Sequence, residues 1–145
     1  MKTILIADCN GSFCIDISEY LRSHGGDIEV LTAGTAEEAI GLLTANAVDL
    51  LIADLNLRLT DGPELIAFVK SNYPGLPIYA TMEFMDMKTF RKLAALGIAD
   101  YIIKPYDIRD LVGNIVYMVN DGMRRKEADQ GTKTYGAVYA MKRGR

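Results

Sequence analysis

Leu50-Leu51-Ile52-Ala53-Asp54 is a short apolar run that stops on a carboxylate. The run is continuous rather than alternating, so a strand built from it buries both faces, as strands inside a parallel sheet do. Three more runs share this character: Ile4-Leu5-Ile6-Ala7, Ile78-Tyr79-Ala80 and Tyr101-Ile102-Ile103. The stretch from Asp27 to Thr32 is a weaker fifth candidate. Helical patterns lie between the runs. Cys14, Ile17 and Leu21 share one face of a helix that ends before Gly25-Gly26. Thr35-Ala36-Glu37-Glu38 has the spacing of a capping box, followed by the stripe Ala36, Ala39, Ile40 and Leu43. Asp61-Gly62-Pro63 opens another helix, with proline suited to the first turn, and Leu65, Phe68 and Val69 form its stripe. Phe90, Leu93 and Ala94 mark a fourth, stopped by Gly97. Ile108, Leu111, Val112, Ile115 and Val119 mark the last. Five strand–helix alternations predict an α/β protein: a doubly wound parallel sheet with helices on both faces.

Composition narrows the function classes. The chain has 145 residues, half of them hydrophobic and about a quarter charged, a balance expected of one soluble globular domain. No apolar stretch approaches the ~20 residues that cross a bilayer, and the run from Thr3 to Ala7 is too short for a signal-peptide core, which points to a cytoplasmic protein. Cys9 and Cys14 lack the partners of a zinc site, and the lone His24 reads as a polar residue at a helix end. Charge is uneven. From Arg124 onward there are seven basic and two acidic side chains, against a net charge of −3 for the whole chain. Residues 1–123 therefore read as the domain and 124–145 as a basic tail or linker. That tail has no helix-turn-helix pattern, so direct nucleic-acid binding is not expected.

Chemistry is sought at the carboxyl ends of the strands, where open α/β sheets bind their ligands. Asp8 follows the first strand, Asp54 the third and Lys104 the fifth. Two carboxylates facing an ammonium suit a hard cation together with a phosphoryl group.

Two blocks make a resemblance specific. Asp54-Leu55-Asn56-Leu57-Arg58-Leu59-Thr60-Asp61-Gly62 looks like a phosphoacceptor loop, and Gly97-Ile98-Ala99-Asp100-Tyr101-Ile102-Ile103-Lys104-Pro105 looks like a fifth strand ending in Lys-Pro. Over about residues 2–120 the chain resembles the receiver domain of two-component response regulators, the CheY-like superfamily. The resemblance implies a flavodoxin-like (βα)5 fold with strand order 2-1-3-4-5. It implies that Asp54 takes a phosphoryl group from a sensor histidine kinase or phosphotransfer protein. Mg2+ would sit between Asp8, Asp54 and the backbone carbonyl of Asn56, and Lys104 would hold a phosphoryl oxygen. Tyr101 would be an aromatic switch whose ring moves inward on activation. Output would be protein–protein contact with a downstream partner, and relatives often dimerise through the fourth helix, fifth strand and fifth helix. Such a protein promotes only its own phosphorylation and dephosphorylation and is otherwise no enzyme.

Four positions depart from that pattern. Cys9 stands where a second acid usually follows Asp8, and a thiol suits Mg2+ poorly. Its other readings are a small buried hydrophobe or a redox-sensitive thiol. Counting from Pro77, Gly97 and Lys104 places Met82 where the fourth strand ends in Thr or Ser. Thr81 comes one residue early and points to the opposite face. Glu83 stands where a small residue leaves access to the acceptor, and reads either as an obstructing loop carboxylate or as a replacement metal ligand. Arg58 stands where proline restricts the loop. Met82, Met85 and Met87 cluster with Phe84, as a partner surface or as ordinary packing, and Phe84 is expected to shield the acyl phosphate from water. Asn10-Gly11-Ser12 could cradle a phosphate at a helix start, as in a flavodoxin-like carrier, but that leaves the Asp54 and Lys104 blocks unexplained. Two readings stay open: a phosphorylatable receiver, and a pseudo-receiver acting as a phosphorylation-independent interaction module.

Overall fold

In the computed structural model, residues 1–24, 26–57, 62–83, 85–98, 100–104 and 107–128 are described, with the helical backbone alone for 121–128. Strand and helix alternate as β1 (Lys2–Ala7), α1 (Gly11–His24), β2 (Ile28–Ala33), α2 (Ala36–Ala45), β3 (Leu50–Asp54), α3 (Gly62–Asn72), β4 (Ile78–Met82), α4 (Met87–Ala95), β5 (Tyr101–Ile103) and α5 (Ile108–Ala128). The five strands form one parallel sheet in the order β2-β1-β3-β4-β5. The inner strands β3 and β4 are buried at every position, whereas the edge strand β2 is exposed at Glu29 and Thr32. It sends Ile28 and Val30 to one apolar layer and Leu31 and Ala33 to the other, and the two polar residues interrupt its apolar run, which is why its sequence signal is weak.

Each face of the sheet has its own apolar layer. Leu5, Leu51, Ala80 and Tyr101 pack on one face with residues of α2, α3 and α4. Ile6, Ile52, Tyr79 and Ile102 pack on the other with residues of α1 and α5. The two faces follow from the two-residue pleat, since every second strand residue turns the same way.

The helix ends are set by local chemistry. Asn10 Oδ1 accepts the Phe13 amide at 3.1 Å and starts α1, so Asn10-Gly11-Ser12 serves as a helix cap. Thr35 Oγ1 accepts the Glu38 amide at 3.1 Å, and Glu38 Oε1 accepts from the Gly34 amide at 3.2 Å. Asp86 caps α4 through the Thr89 amide at 2.7 Å. Gly97, at φ 75°, ends α4: its amide reaches Ala94 O and the next amide, of Ile98, reaches Leu93 O, the paired bonds of a Schellman stop. His24 closes α1 with its ring stacked on Tyr20, centroids 4.1 Å apart.

The α4 stripe differs from the one read in the sequence. Only Leu93 is buried, while Phe90 and Ala94 lie on the outer face. A nine-residue helix touching the sheet along one line needs a single apolar anchor. The methionine cluster also divides, with Met82 in the core, Met85 partly buried and Met87 exposed. Among the described residues no helix is long and apolar enough to cross a membrane. α5 runs on to Ala128, and residues 129–145 of the basic tail lie outside the described residues.

Candidate functional site

The pleat brings the site together. Ile6, Ile52, Tyr79 and Ile102 share the layer beneath α1 and α5. Two residues further along each chain lie Asp8, Asp54, Thr81 and Lys104, which therefore face the same side at the carboxyl edge of the sheet. Asp54 and Thr81 are register partners across β3 and β4.

Lys104 Nζ lies 3.0 Å from Asp8 Oδ2 and 3.0 Å from Asp54 Oδ2. The aspartate side chains are 1% and 7% exposed and the lysine 19%, so both carboxylates are nearly buried and the lysine is the most accessible of the three. The remaining carboxylate oxygens are held locally: Asp8 Oδ1 accepts the Asn10 amide and Asp54 Oδ1 the Asn56 amide, each at 2.8 Å. These turns aim both carboxylates inward and fix their rotamers. Burial pushes the Asp8 carboxyl above its ordinary range, against the opposing pull of the Asn10 amide and Lys104. Burial disfavours the Lys104 ammonium, but its hydrogen bonds to Asp8 and Asp54 outweigh this and raise its pKa.

Gly62 explains how a helix start can lie beside Asp54. A Cβ there would stand 2.4 Å from the Asp54 carbonyl oxygen and 2.5 Å from Leu55 Cα, so only glycine lets α3 approach the end of β3.

The other pocket positions separate. Cys9 is exposed, with its Sγ 3.9 Å from the Asn56 carbonyl oxygen, so it is no buried hydrophobe. Cys14 is buried, and desolvation, reinforced by Asp8, pushes its thiol up to about 11. Glu83 is exposed. Met82 and Tyr101 are both buried, in the layer on the opposite face from Asp54. Arg58, Asp61, Phe84 and Pro105 lie outside the described residues.

One residue of the site escaped the sequence reading. The Phe13 ring, on the first turn of α1, lies 4.9 Å from Lys104 Nζ and gives the ammonium a cation–π contact. Thr81 faces away from Met82, as its one-residue offset implies, and as the register partner of Asp54 it lies on the face of that residue. An apolar-facing Phe at a helix start carries no signal of a lysine 91 positions away. The Thr81 placement was latent in the pleat but needed the β3–β4 register. Below the site, Asn114 Nδ2 donates to Tyr79 Oη at 2.8 Å and ties α5 to β4.

A flavodoxin-like parallel sheet with two aspartates and a lysine at its carboxyl edge defines a class of α/β proteins built to handle an anion and a cation there. The chain matches the response regulator receiver domain over residues 4–116 and belongs to that family. It is therefore a receiver domain of two-component signalling systems. Among solved structures, it superimposes on a CheY-like receiver domain protein from Methanospirillum hungatei JF-1 with a TM-score of 0.78 at 23% identity, covering 86% of this chain and 98% of that one. A two-component response regulator from Clostridium difficile gives 0.76 at 25% identity, covering 88% and 100%. Relatives include the response regulator protein FleR of Pseudomonas aeruginosa, 30% identical over 60% of this chain and 18% of that protein. The transcriptional regulatory protein PdtaR of Mycobacterium tuberculosis is 29% identical over 82% of this chain and 57% of that protein. The chain thus spans from about a fifth to little more than half of these relatives.

Proposed function

We propose that the chain is a phosphorylatable receiver in which Asp54 accepts a phosphoryl group from a sensor histidine kinase or phosphotransfer protein. The observation that carries this reading is the Lys104 ammonium held 3.0 Å from both Asp8 and Asp54, two nearly buried carboxylates at the carboxyl edge of the sheet. A carboxylate oxygen of Asp54 attacks phosphorus, the new P–O bond makes an acyl phosphate, and the P–N bond of the donor phosphohistidine breaks as its imidazole takes up a proton. Lys104 can turn from the carboxylates to a phosphoryl oxygen, so positive charge is in place before the phosphate arrives. Beyond this self-modification the reading assigns no catalysis.

Mg2+ is tested by the donor set. Asp8 and Asp54 supply hard oxygens and the Asn56 carbonyl lies in the same loop, but Cys9 replaces an acid with a thiol beside that carbonyl. Among the described residues no group of three His, Cys, Asp or Glu side chains could hold a metal. Mg2+ commonly makes do with one or two carboxylates, waters and phosphate oxygens, so these residues fit it as a weak site. When bound it would neutralise charge on the phosphoryl oxygens. Glu83 is an exposed carboxylate just after β4.

Output would pass by protein–protein contact with a downstream partner, with the α4–β5–α5 face as a homodimer surface and a cytoplasmic setting. A second reading, the phosphorylation-independent interaction module, draws on Met82 and Tyr101. Both are already buried in one apolar layer, where a hydroxyl and a mobile ring would serve a switch. Intact-protein mass spectrometry after incubation with phosphoramidate, with and without Mg2+, separates the two. A Mg2+-dependent adduct lost in Asp54→Ala supports the receiver. No adduct from small donors or kinases, with no Mg2+ binding, supports the module.

A further inference from the structure

Thr81 is 0% exposed, and its Oγ1 is a buried polar atom with no hydrogen-bond partner among the described residues. Buried hydroxyls are nearly always satisfied, so an idle one asks for a reason. Its position supplies one. Thr81 is the register partner of Asp54 on one side and of Ile102 on the other, and Lys104 follows Ile102 by two residues. The hydroxyl therefore lies in the row of the acceptor, between the acceptor strand and the lysine strand, on the face that both side chains use. In the resting site Asp54 is already served, Oδ1 by the Asn56 amide and Oδ2 by Lys104. Each oxygen keeps a further acceptor site, yet the Thr81 hydroxyl bonds to neither in this resting geometry.

We propose that Thr81 is a positioning residue for the phosphorylated form of the site. When Lys104 turns to a phosphoryl oxygen, the Thr81 hydroxyl rotates and donates to the Asp54 oxygen that the lysine leaves. The proton stays on Thr81 and no bond other than the hydrogen bond changes. The inference rests on the reading of Asp54 as phosphoacceptor. It makes Thr81, not Met82, the hydroxyl of β4 that serves the site.

The test uses the full chain with Thr81→Val and Thr81→Ser, and phosphoramidate with Mg2+ as donor. Valine keeps the shape and removes the idle hydroxyl, so without donor its unfolding midpoint should rise by roughly 2–5 °C. Its rate of adduct formation should fall about tenfold, the equivalent of one hydrogen bond made in the transition state as Lys104 turns to the incoming phosphoryl group. Serine should restore the wild-type rate. A stabilised valine variant phosphorylated as fast as wild type would overturn the proposal and leave the acceptor reading standing. A lowered midpoint in valine would overturn it too, by showing a partner in the resting state. A folded wild-type chain that takes no phosphate would overturn both.

Discussion

Replacing Lys104 by methionine keeps the unbranched stem, one atom shorter, and deletes its charge. The change strands two carboxylates, 1% and 7% exposed, that now share a 3.0 Å contact with one ammonium. Breaking a buried ion pair by removing one partner typically costs 3–5 kcal/mol; a lysine that is 19% exposed lowers that to about 2–4 kcal/mol. For a domain of this size the unfolding midpoint should drop by roughly 6–15 °C. The sign of the pH dependence is fixed by the same geometry. Without the lysine, the burial that already raises the Asp8 carboxyl loses its opposing cation, so the folded-state pKa of Asp8 stands further above its unfolded value. The folded variant then holds more protons than the unfolded chain, so its stability rises as pH falls. In the wild type, Lys104 has a pKa raised above 10.5, so its contribution is fully present below that value and does not vary in this window. The deficit of Lys104→Met should therefore be larger at about pH 8 than at about pH 5 in urea denaturation followed by circular dichroism. Adding Asp54→Asn removes one stranded charge and should recover about 1–2 kcal/mol, read as a double-mutant coupling. A deficit below about 0.5 kcal/mol at pH 8, or one that grows toward acid, would refute the argument, because it would mean the lysine is solvated and the carboxylates are not confined.

Gly62→Ala places a Cβ 2.4 Å from the Asp54 carbonyl oxygen, so it should cost about 2–4 kcal/mol in a denaturation curve and slow phosphate uptake on Asp54, whereas alanine at Gly41, with open space around it, should do neither. Phe13→Leu should move the ring-current-shifted Lys104 side-chain protons toward random-coil positions in NMR spectra, with a loss of about 0.5–1 kcal/mol; unchanged shifts would place the ring elsewhere. Iodoacetamide near neutral pH should modify Cys9 alone in the native protein and both thiols after unfolding, since Cys14 is buried with its thiol pushed up to about 11; two native equivalents by mass would contradict the packing of α1.

The core strands were legible because burial on both faces writes a continuous apolar run, as at Leu50–Ala53. The edge strand β2 was faint because exposed Glu29 and Thr32 interrupt its apolar residues. Helix boundaries at Thr35 and Gly97 could be read because the capping atoms belong to the helix end itself. The stripe of α4 could not, since which apolar residue meets the sheet depends on how the short helix lies across it, and Phe90 faces outward. Cys9 was recognisable as a departure, but its exposure depends on the loop that follows β1.

The sequence by itself determined the class of fold, the strands, and the three charged residues at their carboxyl ends. Each of these depends on local composition or on the two-residue pleat. What surrounds those charges came from the packing alone: Phe13 over Lys104, Gly62 against the Asp54 backbone, and Thr81 as the register partner of Asp54. These contacts join residues far apart in the chain. They are set by the register of parallel strands and the seating of helices, which no single segment encodes.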